Sequence, residues 1–180
     1  MPLTASLLKS DLAEVLAAPH DHGTVRMVVC RPAKGERRLL TEGTLDVRVG
    51  LVGDCWSSRP TRTAGGLPDP DRQLTVMNAR VVERLSSDPL RQALAGDQLY
   101  LDLDLSVENL PAGSRLGVGT AVIEVTAPPH TGCATFVRHF GEDVMRFVNG
   151  KVGRPLRLRG LNAKVVASGT VRPGDAVRKL

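Results

Sequence analysis

Apolar and polar residues alternate along the chain in two rhythms, and these divide it into elements. In TASLLKSDLAEVLAAP the residues Leu8, Leu12, Val15 and Leu16 fall on one face of a helix that Pro19 would end. TVRMVVC and GTLDVRVGLVGD are β-branched and alternating, with Leu45, Val47, Val49 and Leu51 on one face, and both predict strands. LTVMNARVVERLSS sets Met77, Val81 and Leu85 one turn apart and predicts a helix. SDPLRQALAGD predicts another, with Asp88 as cap, Pro89 at the first helical position and Gly96 past the end.

The clearest strand is QLYLDLDLSVENL, where Leu99, Leu101, Leu103 and Leu105 share one face and Tyr100, Asp102, Asp104 and Ser106 the other. SRLGVGTAVIEVTAPP predicts a strand bent or bulged at Gly117 and Gly119. Phe136, Phe140, Val144, Phe147 and Val148 return to helical spacing. RPLRLRG and NAKVVASGTVRPGDAVRKL predict strands again, with a type II turn at Pro173-Gly174. Residues 57–73, rich in Pro, Gly and Arg, predict a long loop. Short strands outnumber helices and show no regular βαβ alternation. The expected class is therefore mainly β (α+β), an antiparallel sheet or barrel with peripheral short helices.

A length of 180 residues suits a single domain, 1–180, able to build its own core, with residues 1–24 as a helical extension. Aromatic residues make up only 3% of the chain, so aliphatic packing must dominate. The net charge of +5 attracts anions, whether phosphates, a pterin or nucleic acid. Basic residues are nevertheless dispersed among 19 acids, and one Tyr and one Trp give little for bases to stack on, so nucleic acid is a poor partner. Three irregularly spaced cysteines fit a reducing compartment. The N-terminus lacks a signal-peptide pattern, and no apolar run approaches the ~20 residues that span a bilayer. A soluble, cytoplasmic protein with no membrane partner is expected.

Candidate chemistry concentrates in TAPPHTGCATFVRHFGED, between a strand and a helix. Cys133 follows Gly132 and precedes helical spacing, with His130, Arg138 and His139 nearby. A helix start and neighbouring cations lower a thiol's pKa and make it a nucleophile or soft-metal ligand; equally, a free cysteine packs as a small hydrophobe. His130, Cys133 and His139 supply too few ligands for a structural zinc site. His20 and His22 suit a solvated turn, and Cys30 and Cys55, at strand ends, a structural role. In RPLRLRG, Arg157 and Arg159 would project from one side of a strand as a fork for phosphate or carboxylate, or would blunt a solvated edge. Glu108 and Asn109 of SVENLPAG would bond a ligand or close a turn. P-loop, nucleophile-elbow, zincin and dinucleotide fingerprints are absent from the sequence.

Taken in order, GLVGD, LDLDLSVENLPAG, VTAPPHTGC, RLRGLNAKVV and GTVRPGDAV resemble the motif series of the MOSC domain, named after the C-terminal part of molybdenum cofactor sulfurase. The resemblance runs over residues 45–180 and implies a β-barrel with Cys133 as the functional thiol. It further implies a standalone sulfur carrier or sulfurtransferase, or a protein that binds the molybdenum cofactor (molybdopterin) with Cys133 as metal ligand. His130, Arg138 and His139 would tune the thiol, and Glu108, Asn109, Arg157 and Arg159 would hold the cofactor. The alternative is a non-catalytic binding module for a pterin or another anionic ligand. The chain has no room for the desulfurase domain of the sulfurases, so a separate pyridoxal-phosphate-dependent cysteine desulfurase would donate sulfur to a small-molecule or cofactor acceptor. Many relatives carry a basic residue two places after the cysteine, where this chain has Thr135.

Overall fold

The structure, a computed structural model, describes residues 10–58 and 66–180. Leu8 and the middle of the 57–73 loop lie outside the described residues.

Seven strands close into a barrel: β1 (Gly23–Cys30), β5 (Leu74–Asn78), β6 (Leu99–Asp102), β7 (Arg115–Val118), β8 (Ala121–Val125), β9 (Leu161–Ala167) and β11 (Ala176–Lys179). Around the ring the order is β1, β11, β7, β8, β9, β5, β6 and back to β1, while β2 (Arg38–Leu40) pairs along the far end of β1. A small second sheet joins β3 (Gly43–Asp46), β4 (Gly50–Leu51) and β10 (Gly169–Val171). The mainly β class expected from the pattern, and the barrel implied by the resemblance, are the fold observed.

Period-two alternation gives the barrel wall two apolar faces. Leu99, Leu101, Leu103 and Leu105 all lie in the inner core, as predicted, with Leu74 and Val76 from β5. Tyr100 and Met77 point outward into a second core, roofed by helices. A bulge at Arg26 keeps β1 in phase with both, placing Val25 and Val28 inside and Met27 and Val29 outside.

All ladders of the barrel are antiparallel except that between β5 and β6. A parallel pair needs a crossover, and this one is made by α2 (Ala79–Leu85) and α3 (Pro89–Gln92). Asn78 caps α2 and Asp88 caps α3, each side chain accepting a hydrogen bond from the backbone N–H of the second residue of its helix, Arg80 and Leu90. Gly96, left-handed at φ 95°, then turns the chain into β6. The N-terminal α1 (Leu12–Leu16) buries Val15 against this outer core and is strapped to α2 by ion pairs from Arg84 to Asp11 and Glu14. Leu16, placed on the buried face by spacing, is exposed.

Several strand and helix assignments are corrected. GTLDVRVGLVGD is a hairpin rather than one strand: Leu45 pairs with Leu51, while Val47 and Val49 occupy the turn at 46% and 36% exposure. Met77 belongs to β5 and not to the helix after it, because two apolar outward positions straddle the junction. The predicted bend at Gly119 is a hairpin turn, with Gly119 at φ 59°. RPLRLRG forms consecutive turns instead of a strand, since Arg157 adopts φ 46° and breaks the extended backbone. The predicted turn at Pro173-Gly174 is present, closed by Asp175 N–H donating to Arg172 O at 3.0 Å. No helix among the described residues is long and apolar enough to cross a membrane.

Candidate functional site

Residues 126–133 join β8 to α4 (Ala134–Phe140), which Gly141 at φ 89° separates from α5 (Glu142–Val148). Three side chains, from β9, the β6 approach and the C-cap of α5, pin this connection. Asn162 Nδ2 donates to Pro128 O at 3.0 Å, Asn149 Oδ1 accepts from Gly132 N–H at 3.3 Å, and His130 Nε2 lies 2.8 Å from Asp97 Oδ1. Gly132 packs closely on this neighbourhood: a Cβ there would displace the sulfur end of the flexible Met145 side chain. Phe136 and Phe140 then anchor α4 in the outer core; burying a side chain of this size is worth about 1.5–3 kcal/mol.

So held, Cys133 is an exposed thiol at the cap position of α4. Partial burial pushes its pKa up. The backbone N–H groups of Phe136 and Thr135, the charge of Arg159 and the Thr135 hydroxyl outweigh that and hold the thiol below its ordinary value.

Arg159 is the cation that matters, and it is 4% exposed. Its Nη1 donates to Asp97 Oδ2 at 2.7 Å and its Nη2 to Ala95 O at 2.8 Å, while the guanidinium stands 4.8 Å from the Phe136 ring centre. Arg159 Nε is buried and has no partner among the described residues. Asp97 is wholly buried. Desolvation pushes its carboxyl up, but Arg159 and His130 overcome that and hold it at about 2.

His130, Arg159, Arg157 and Arg154 line one cleft of about 460 Å³ with Asn149 and Thr131. Arg157 is half-buried, and desolvation lowers its pKa. Its Nη1 donates to Leu110 O at 2.6 Å and Leu105 O at 3.3 Å. Neither Arg157 nor Arg154 faces a carboxylate within ion-pair distance among the described residues. Within the cleft lining the charge of Arg159 is offset by Asp97, while Arg157 and Arg154 supply positive charge that no paired carboxylate among the described residues offsets. Cys133 lies outside its lining, two residues beyond Thr131, and Arg159 connects the two regions.

A family model described as the MOSC domain matches residues 60–178. The chain belongs to the MOSC family. No curated protein shows a significant match to the sequence. Solved structures share the MOSC chain's fold: the YuaD protein from Bacillus subtilis is 16% identical, with 87% of this chain and 94% of that one covered at a TM-score of 0.60. YiiM from Escherichia coli is 20% identical, with 87% and 69% covered at a TM-score of 0.55. YiiM from Geobacillus stearothermophilus is 14% identical, with 88% and 73% covered at a TM-score of 0.54.

Within this MOSC barrel the site residues named from the sequence, Cys133 aside, separate into three groups. His130, Arg157 and Arg159 meet at the cleft, although the two arginines do not form a fork on one strand: Arg159 is committed to Asp97, and Arg157 faces the cleft from a turn. Arg138 is exposed on α4, and the charge acting on the thiol comes from Arg159 instead. His139 is turned toward arginines, and desolvation with the charges of Arg138, Arg37 and Arg91 holds its imidazole below the ordinary value.

Glu108 and Asn109 stand apart from the cleft lining. Glu108 is exposed, and Asn109 is occupied by structure, its Nδ2 donating to Asp104 O at 2.7 Å and to His20 O at 2.9 Å. Asp97 was invisible to motif reading. The signal available was the polar pair Asp97-Gln98 directly before a fully buried strand, where both side chains must find partners. Among the described residues, no three His, Cys, Asp or Glu side chains converge to hold a metal ion.

Proposed function

We propose that this MOSC protein acts through the Cys133 thiolate on an anionic cofactor or acceptor seated in the adjacent cleft, as a sulfur carrier or a molybdenum-cofactor-binding protein. One observation carries the reading: Arg159 both lines the cleft and lowers the thiol's pKa, so the nucleophile and the anion site share a cation. In sulfur transfer, the thiolate attacks the sulfane sulfur of a donor persulfide. The donor's sulfur–sulfur bond breaks, its cysteine leaves as a thiolate that takes up a proton, and Cys133 becomes a persulfide.

The residues fit a molybdenum cofactor in two respects. Cations without carboxylate partners, Arg157 and Arg154, suit a phosphate, and a single thiolate suits a soft metal that brings its own sulfur donors. Bound there, the cofactor would supply a redox-active metal, with Cys133 as its protein ligand. The donor of sulfur would be a pyridoxal-phosphate-dependent cysteine desulfurase.

Incubation with such a desulfurase and cysteine, followed by intact-mass measurement, should add one sulfur to the wild type and none to Cys133→Ala. Equal labelling of both would overturn the reading. The second reading is a binding module for an anionic ligand without a covalent step, and it is favoured by the position of Cys133 outside the cleft lining. Under it, molybdopterin binding survives Cys133→Ala and fails in the Arg154→Ala, Arg157→Ala double variant.

A further inference from the structure

We infer that His130 is an oriented proton acceptor of the cleft, its Nδ1 turned toward the bound ligand, and that Asp97 is the positioning residue that holds it so. The proposal rests on the cleft being the ligand site, but the dyad itself can be tested without a ligand.

Asp97 makes two contacts, one per oxygen: Oδ2 to Arg159 Nη1 at 2.7 Å and Oδ1 to His130 Nε2 at 2.8 Å. An ionised carboxylate can only accept, so His130 must present Nε2–H to it. The remaining ring nitrogen, Nδ1, then carries the lone pair. It has no hydrogen-bond partner among the described residues and is not one of their buried, unpartnered atoms, so it reaches the space that the ring borders, which is the cleft.

The third member decides the charge. A histidine paired with aspartate alone would be driven toward imidazolium, which has no lone pair to offer. Here desolvation and the charge of Arg159, with a smaller push from Arg31, outweigh the attraction of Asp97 and keep the imidazole below its ordinary pKa. Arg159 thus neutralises Asp97, and Asp97 retains its directional hold on the ring. The result is a neutral, tautomer-selected base at neutral pH.

The ligand class follows. Arg157 and Arg154 receive an anionic group, and His130 Nδ1 receives an N–H or O–H of the same molecule. The site selects an anion that also carries a hydrogen-bond donor, over one that offers only acceptors.

Nitrogen-15 imidazole spectra of the full chain test this. In the wild type, His130 should be protonated at Nε2 and bare at Nδ1, and it should remain neutral to a lower pH than an ordinary histidine. In Asp97→Asn, Arg159 still requires an acceptor and takes the amide oxygen. The amide NH2 then faces Nε2, and the tautomer should flip to Nδ1–H, a change that a merely structural role for Asp97 would not produce. A wild-type imidazolium, a wild-type Nδ1–H tautomer, or an unflipped ring in a folded Asp97→Asn would overturn the proposal. If that variant does not fold, the wild-type tautomer and titration decide alone. Inorganic phosphate added to the wild type separates the two readings: the expected tautomer with no phosphate-induced shift at the cleft would overturn the anion site and leave the dyad standing.

Discussion

Lys179 Nζ lies 3.0 Å from Asn109 Oδ1, tying the last barrel strand to the turn that follows β6. The same asparagine holds the carbonyls of Asp104 and His20, so one side chain joins three segments distant in sequence. In the ENL motif it therefore acts as a barrel fastener rather than a ligand contact. Asn109→Ala should lower stability by about 0.5–1.5 kcal/mol, the net worth of hydrogen bonds whose freed partners can turn to water. Alkylation of Cys133 in the folded variant should proceed at the wild-type rate. Urea unfolding and iodoacetamide kinetics on the same preparation separate the two effects.

The buried carboxyl of Asp97 gives the protein a specific weakness to acid. Its pKa is held at about 2 in the fold, while an unfolded aspartate titrates near 3.9. Because the folded value is the lower one, its contribution is complete above about pH 4 and fades as pH falls through about 2. The shift corresponds to about 2–3 kcal/mol. Asp97→Asn, which leaves Arg159 buried without a counter-charge, should be less stable by about 3–5 kcal/mol at neutral pH. That deficit should narrow by about 2–3 kcal/mol between pH ~5 and pH ~1, as read from urea midpoints over a pH series.

Cys133 should alkylate as a more acidic thiol than free cysteine, whose pKa is about 8.5. The causes at hand are backbone N–H groups and Arg159, so the rate–pH midpoint should rise in Arg159→Gln and be restored toward wild type in Arg159→Lys. Arg138→Ala should move it less than Arg159→Gln does. A larger effect from Arg138 would assign the thiol to the exposed face of α4 and detach it from the cleft.

What the sequence disclosed follows from where a residue's neighbours lie. The inner face of Leu99, Leu101, Leu103 and Leu105 was legible because alternation is local and the barrel interior accepts nothing polar. Cys133 stood out because the prolines and glycine before it disfavour helix and strand interiors, which marks a built loop. Met77 was misread because outward-facing apolar residues on both sides of the β5–α2 junction mimic one helical face. RPLRLRG looked like a strand because alternation says nothing about φ, and nothing local shows that Arg157 is left-handed and sends its guanidinium to carbonyls of another segment. Asp97 and Arg159 are 62 residues apart, and no local pattern announces that one neutralises the other.

The turn at Arg157 allows the binding and backbone roles of one residue to be measured separately. Its φ of 46° is a conformation that costs a non-glycine residue about 1–2 kcal/mol, and asparagine tolerates it better than most. Arg157→Asn keeps the turn but loses the bonds to Leu110 and Leu105, so stability should fall by about 1–2 kcal/mol. Arg157→Val loses the same bonds and places a β-branched residue in the left-handed region, adding about 1–2 kcal/mol to the loss. Both remove the same charge from the cleft, so phosphate or molybdopterin affinity should drop equally, by roughly tenfold or more for a lost charge-assisted bond. Unfolding midpoints that differ while calorimetric affinities coincide are the expected result. Affinities that track stability instead would make Arg157 a scaffold residue whose guanidinium never meets the ligand.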